Sequence, residues 1–328
     1  MYARMGASYF SLRTANGGDV FDIVNKRKWF FLFSGLIMVP GIVFLLLGGL
    51  KLGIDFTGGT IWELRFNAPI ASLDVRSVLT QNDYDGASVQ LAEGNTVLIR
   101  GRELKEGSDE KTVLANALQS RFGDFTELQI QTVGPTVGTS ISQRAFLAVG
   151  LTSIGILLYL AYAFRNAPHP FRYGICAILA MLHDVIVVVG IFAILGYFFG
   201  IEIDALFVTA LLTIIGFSVH DTIVVFDRIR ENASRRGAPE FSETVNYSLV
   251  QTLVRSLNTS LTVMFTLLAL YFFGGETIKN FILALLIGII SGTYSSIFNA
   301  SLLLVVWERG DLDRVFGRFR RGRATATA

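Results

Sequence analysis

Six long apolar runs separated by polar stretches organise this chain. They fall at Trp29–Leu50 and at 145–164, 173–199, 205–226, 253–273 and 280–307. Each is long enough to cross about 30 Å of hydrocarbon as a helix. The pattern therefore predicts a polytopic α-helical membrane protein with six transmembrane helices. The first run follows the basic Asn25-Lys-Arg-Lys28, an order that also fits a signal peptide. Its length exceeds a typical signal-peptide apolar region and no Ala-x-Ala site follows, which favours a retained helix, 29–50.

Lysines and arginines set the orientation. Segments 1–28, 165–172, 227–252 and 308–328 hold 5, 2, 4 and 6 of them, whereas 200–204 and 274–279 hold only Lys279. By the positive-inside rule both termini are cytoplasmic. The basic tail, with Arg309, Arg314, Arg318, Arg320, Arg321 and Arg323, is then either a topology anchor or a contact for inner-leaflet lipid or a cytoplasmic partner.

Residues 51–144 lie on the other side and carry their own periodicities. Thr60–Phe66 reads as a strand and Leu73–Leu79 as a short helix. Ser88–Ala92 and Thr96–Arg100 read as strands about a Glu93-Gly94-Asn95 turn, Ser108–Phe122 as a helix and Phe125–Val133 as a strand. Ser108 is placed as N-cap, Asp109 and Glu110 occupy the first turn, and Gly123 follows the end. The β-α-β-β-α-β order predicts a small α+β, ferredoxin-like extracytoplasmic domain. Two glycine-bearing stretches, Gly53-Ile-Asp-Phe-Thr-Gly-Gly-Thr60 and Val133-Gly-Pro-Thr-Val-Gly138, join it to the membrane; neither has the order of a phosphate-binding loop.

Between the fourth and fifth spans, 227–252 reads as a cytoplasmic loop that breaks at Gly237-Ala-Pro239. Phe241, Val245 and Leu249 follow at i, i+4, i+8. That stripe predicts either a helix along the inner surface or packing against a neighbouring helix end.

Composition supports a membrane protein: 52% of residues are hydrophobic and 16% charged. The single cysteine, Cys176, lies in an apolar run, which excludes an intramolecular disulfide.

Charge inside the apolar runs carries the candidate chemistry. Asp221 sits about 8 Å from the end of the fourth span, and Arg255 at a matching depth in the fifth. A charge at such depth costs on the order of 3 kcal/mol or more unless it is paired or titrates. The two residues can therefore meet, either as a static ion pair that fixes packing or as a proton relay that opens and closes. Moving one charge across roughly 150–200 mV supplies about 3–5 kcal/mol, enough to bias a two-state element. Secondary relay candidates are Asp184 and His183 in the third span, His220, and Asn258 and Ser260 in the fifth. Ser256, Thr259 and Thr262, and Ser291, Thr293, Ser295, Ser296 and Asn299 of the sixth span, are either participants or interhelical glue. The two His-Asp pairs make a poor metal site, because adjacent residues on one helix point about 100° apart and no third ligand is evident. Asp184 is placed roughly 7 Å deeper than Asp221, which disfavours a paired-aspartate protease. No nucleophile elbow or Walker sequence is present, so the chain is read as no enzyme, with no cofactor or metal.

The two glycine stretches, Leu182-His-Asp-Val185, Asp221-Thr-Ile-Val-Val-Phe-Asp-Arg-Ile-Arg-Glu-Asn232 and Gln251-Thr-Leu-Val-Arg-Ser256 together resemble the SecF branch of the SecD/SecF protein-export family, within the RND superfamily. The likeness covers about Phe21 to Trp307. It implies a multi-pass protein of the bacterial inner membrane that pairs with SecD and assists SecYEG, with YajC a further candidate. Its implied cargo is a preprotein on the extracytoplasmic side, its surroundings are membrane lipids, and no nucleic acid is involved. The implied energy source is a proton or sodium gradient. Asp221 and Arg255 match the family's membrane acid and base; Gly53, Asp55, Gly58, Gly59, Asp227 and Arg228 match its signature. His220 stands where many relatives have Asn. Readings left open are an ion-coupled exporter of small molecules or lipids, for which the external segment is small, and a translocon scaffold.

Overall fold

The computed structural model describes residues 22–92, 94–165, 169–235 and 240–310. In chain order the elements are α1 Arg27–Gly48, α2 Ile54–Thr57, β1 Gly59–Phe66, α3 Ser72–Gln81, β2 Ser88–Ala92, β3 Thr96–Gly101, α4 Asp109–Phe122 and β4 Phe125–Val133. They continue with α5 Pro135–Ala163, α6 Pro170–Phe199, α7 Ala205–Ala233, α8 Phe241–Phe273 and α9 Lys279–Glu308, which contains a π-turn at Ser295–Ala300. Among the described residues six helices, α1 with its 3₁₀ lead-in from Val24 and α5 to α9, are long and apolar enough to cross a membrane. The chain divides into two compact units.

The first unit holds α1, α5 from Leu151 onward, α6, α7 from Thr209 onward, α8 and α9. Backbone contact between glycines sets α1 against α6: a Cβ on Gly41 would come within 2.8 Å of the Gly190 Cα. Such close approach of small residues is a usual way for helices to associate in lipid. Likewise Gly288 of α9 lies against the Ile214 side chain of α7. Asn246 of α8 accepts from the Ile23 and Val24 backbone N–H groups, which satisfies orphan donors where the first span begins. Phe164, Tyr173 and Phe226 pack their rings together beside Val225, Ile229, Val245 and Leu249.

That packing decides between the two readings of the Phe241 stripe in favour of helix packing, and it corrects one expectation. Residues 241–273 form one continuous helix, and the Phe241-Val245-Leu249 stripe faces the helix core rather than a membrane surface. The expected 227–252 loop is mostly helical as well. Asp227, Arg228, Arg230, Glu231 and Arg235 form i,i+3 and i,i+4 pairs along α7, so the helix outlasts its apolar stretch. Hydrophobicity marked where a helix crosses lipid, not where it ends; for the same reason α5 begins at Pro135 rather than 145. The Gly237-Ala-Pro239 break, Glu93, and the tail arginines Arg314, Arg318, Arg320, Arg321 and Arg323 lie outside the described residues.

The second unit is α+β. Its antiparallel sheet has the order β2-β3-β1-β4, the split β-α-β pattern in which the first strand is central. Trp62, Leu64 and Phe66 alternate along β1 and are buried with Val97 and Ile99 of β3, Val75 and Leu79 of α3, and Leu114 and Leu118 of α4. Ser108 caps α4 by accepting from the Lys111 N–H at 3.2 Å, and Gly123 with φ 85° ends it.

The glycine motif builds the base of this unit. Gly58 and Gly59 have φ of 75° and 129°, values that L side chains rarely adopt, and a Cβ on Gly59 would strike the Gly101 carbonyl. Asp55 Oδ2 accepts from the Ala205 N–H at 2.9 Å and so caps α7 from 150 residues away. Asp204 Oδ1 caps the same helix through the Phe207 N–H. Burial pushes the Asp204 carboxyl above the usual carboxylate range, against the Phe207 hydrogen bond. Burial also raises Glu202, opposed by Arg100 and Lys51.

Candidate functional site

Among the described residues two carboxyl groups lie buried inside the helix bundle. Asp184 of α6 is 1% exposed and fully furnished with donors. Ser218 of α7 donates to Oδ2 at 2.6 Å, Ser291 of α9 to Oδ1 at 2.7 Å and Ser295 of α9 to Oδ2 at 2.6 Å. The neighbouring His183 brings Nδ1 within 3.0 Å of Oδ1. Adjacent residues on one helix therefore do make contact here, contrary to the expected divergence. Three helices thus converge on one buried acid.

Asp221 of α7 is 8% exposed and differently placed. Ser256 of α8 donates to Oδ1 at 2.7 Å, while Oδ2 has no hydrogen-bond partner. Ser296 stands beside this carboxyl, but its hydroxyl is directed to the Gly292 carbonyl of its own helix. Ser260, one turn past Ser256, is buried and shares a 2.5 Å hydrogen bond with Thr293.

The expected ion pair between Asp221 and Arg255 is absent. Among the described residues no ion pair within 4.0 Å joins them, and Arg255 is exposed on α8. The reason is helical geometry: Arg255 and Ser256 are consecutive, about 100° apart, and α8 is rotated so that the serine faces Asp221. His220 and Asn258 are exposed too, and neither joins the carboxyl cluster, although His220 and Arg255 both act electrostatically on Asp221.

The signature residues have structural duties. Arg228 donates to Gln251 at 2.6 Å and Asn232 donates to Ser248 and Gln251, which ties α7 to α8, while Asp227 pairs with Arg230 within α7. Gly53, Asp55, Gly58 and Gly59 belong to the second unit. Ser218 is the partner that sequence reasoning passed over, because its spacing from Asp184 carries no signal until α6 and α7 are packed. Among the described residues no three His, Cys, Asp or Glu side chains converge as metal ligands.

Six apolar helices, buried carboxyls between them and a small α+β unit define a multi-pass membrane protein with a polar core. Comparison with known proteins specifies it further. The family model for the protein export membrane protein SecD/SecF C-terminal region matches residues 113–310, and that for the SecD/SecF GG motif matches 43–70. The protein translocase subunit SecF of Thermobaculum terrenum is 62% identical over 90% of this chain and 97% of its own length. That of Anaerolinea thermophila is 42% identical over 94% and 99%. The crystal structure of SecDF from Thermus thermophilus superimposes with a TM-score of 0.77 at 34% identity, over 88% of this chain; the chain spans 39% of that longer protein. This chain belongs to the SecD/SecF family of protein export membrane proteins.

Proposed function

We propose that this chain is a SecF-type, non-enzymatic subunit of the Sec protein translocase, using the proton-motive force with a SecD-type partner to promote late translocation and release of secreted proteins through SecYEG. YajC is a further candidate for that assembly. Family membership and 62% identity to a protein translocase subunit SecF support the reading. The Lys and Arg distribution supports cytoplasmic termini in the bacterial inner membrane, with the second unit, ferredoxin-like in strand order, on the extracytoplasmic side toward the preprotein. No cofactor is invoked; the gradient is the energy source, with sodium the alternative ion.

One observation carries the mechanism: Asp221 is buried among the helices with one oxygen held and the other bare. A buried charge must be compensated, whereas the neutral acid needs only hydrogen bonds. The bare oxygen is thus where a proton arrives and leaves. Arg255 is not paired with it within this chain. An exposed guanidinium in a membrane span is unfavourable by about 3 kcal/mol, and Asn258, Thr259 and Thr262 continue the polar face along α8. A membrane partner covering that face would supply acceptors to Arg255 and complete the relay. A SecD-type subunit fits, since the Thermus relative, named SecDF, is more than twice this chain's length.

Asp221→Asn, tested in the complex with SecD, should lower export driven by the proton-motive force by about tenfold or more, equivalent to about 1.4 kcal/mol on the driven step. The complex should still assemble. Intact export with lost assembly would favour a scaffold, and an unchanged secretome with altered tolerance to toxic small molecules would favour an exporter.

A further inference from the structure

The sixth span is not a regular helix where it passes the two carboxyls. Its π-turn, Ser295–Ala300, lies between two α-helical segments. Such turns are rare in α-helices and occur frequently at functional sites. Here consecutive residues serve different acids. Ser295 donates to Asp184, and Ser296, fully buried, stands beside Asp221. The same turn carries Asn299, which exchanges hydrogen bonds with Ser34 of α1.

Ser296 has one hydrogen to give, and it acts on the Asp221 carboxyl as well as on the Gly292 carbonyl. It is now directed to the Gly292 carbonyl, and Asp221 Oδ2 is left without a donor. Gly292 is no neutral bystander: it packs against Ser218, and its carbonyl lies 3.2 Å from Ser295 Oγ, where it competes with Asp184 for the one hydroxyl hydrogen. Ser218 and Ser295 are both Asp184 donors. A hydroxyl that leaves Gly292 for Asp221 thus alters the backbone on which two of Asp184's hydrogen bonds depend.

We infer that Ser296, on this π-turn, is a positioning residue that couples proton occupancy of Asp221 to the hydrogen-bond cage of Asp184. The inference rests on Asp221 as the proton-carrying group. When Asp221 is neutral, Ser296 stays on Gly292 and the cage is as observed. When Asp221 loses its proton, the carboxylate draws the Ser296 hydroxyl to Oδ2, the turn tightens, and Ser295 and Ser291 shift against Asp184. Linkage makes the effect reciprocal, so the cage of Asp184 also biases Asp221. The titratable and charged groups facing the pair are His220 and Arg255 beside Asp221, and His183 beside Asp184, with Tyr294 near the His183 ring.

The test is infrared spectroscopy of isotope-labelled aspartate carboxyls in the SecD-containing complex in membranes, with Asp184→Asn assigning the Asp184 band. Asp221→Asn should move the Asp184 titration by about one pH unit, a coupling of about tenfold. Ser296→Ala should abolish that movement, and Ser296→Thr, which keeps a hydroxyl, should restore it. A shift that persists without the hydroxyl, or no shift at all, overturns the coupling. Loss of proton-driven export in Asp221→Asn with an unmoved Asp184 removes the coupling alone; undiminished export removes the relay reading and the coupling with it.

Discussion

Asp184 and Asp221 differ in what their neighbours bring: three hydroxyls and an imidazole to the first, one hydroxyl to the second. Both acids were legible as charges inside apolar runs. Their donors were legible only as a list of serines and threonines, because the identity of a contact depends on helix rotation. One residue of phase, about 100°, separates the expected Arg255 from the observed Ser256. At the same scale, Glu202 and Asp204 make a prediction outside the membrane. Burial raises both carboxyls, so the folded chain binds protons that the unfolded chain has released. Stability should therefore fall as pH rises from about 4, the ordinary carboxyl range, through the raised values. Thermal unfolding across pH should show this slope, and Glu202→Gln with Asp204→Asn should flatten it.

Among elements, the strands and helices of the α+β unit follow from alternation, caps and turn glycines, and β4 falls at 125–133 as its pattern predicts. Helix ends in the bundle were less legible, since α7 and α8 extend beyond their apolar stretches on salt bridges and on packing of Val245 and Leu249. The crossing of α1 and α6 was invisible in sequence because a lone glycine in each helix carries no sign of its partner. Gly190→Leu should force the two backbones apart, at a cost of about 1–3 kcal/mol from overpacking. A lowered unfolding temperature in detergent would register it, while Gly35→Leu, in open space on α1, should have little effect.

For the whole molecule, the proposed partner bears on Arg255, which is exposed on α8. Arg255→Leu should leave the isolated chain folded, since among the described residues it breaks no ion pair, yet reduce recovery of a SecD-type partner by about tenfold, as expected when a buried charged contact worth about 1.4 kcal/mol or more is lost. Co-purification in mild detergent measures this, and undiminished recovery would place the partner elsewhere. The Asn246 side chain has a further bearing on how the protein is made. The amides it receives belong to Ile23 and Val24, synthesised 223 and 222 residues earlier. During biogenesis the leading span must wait, its opening amides hydrated or held by other groups, until the fifth span emerges from the ribosome and closes the bundle around it.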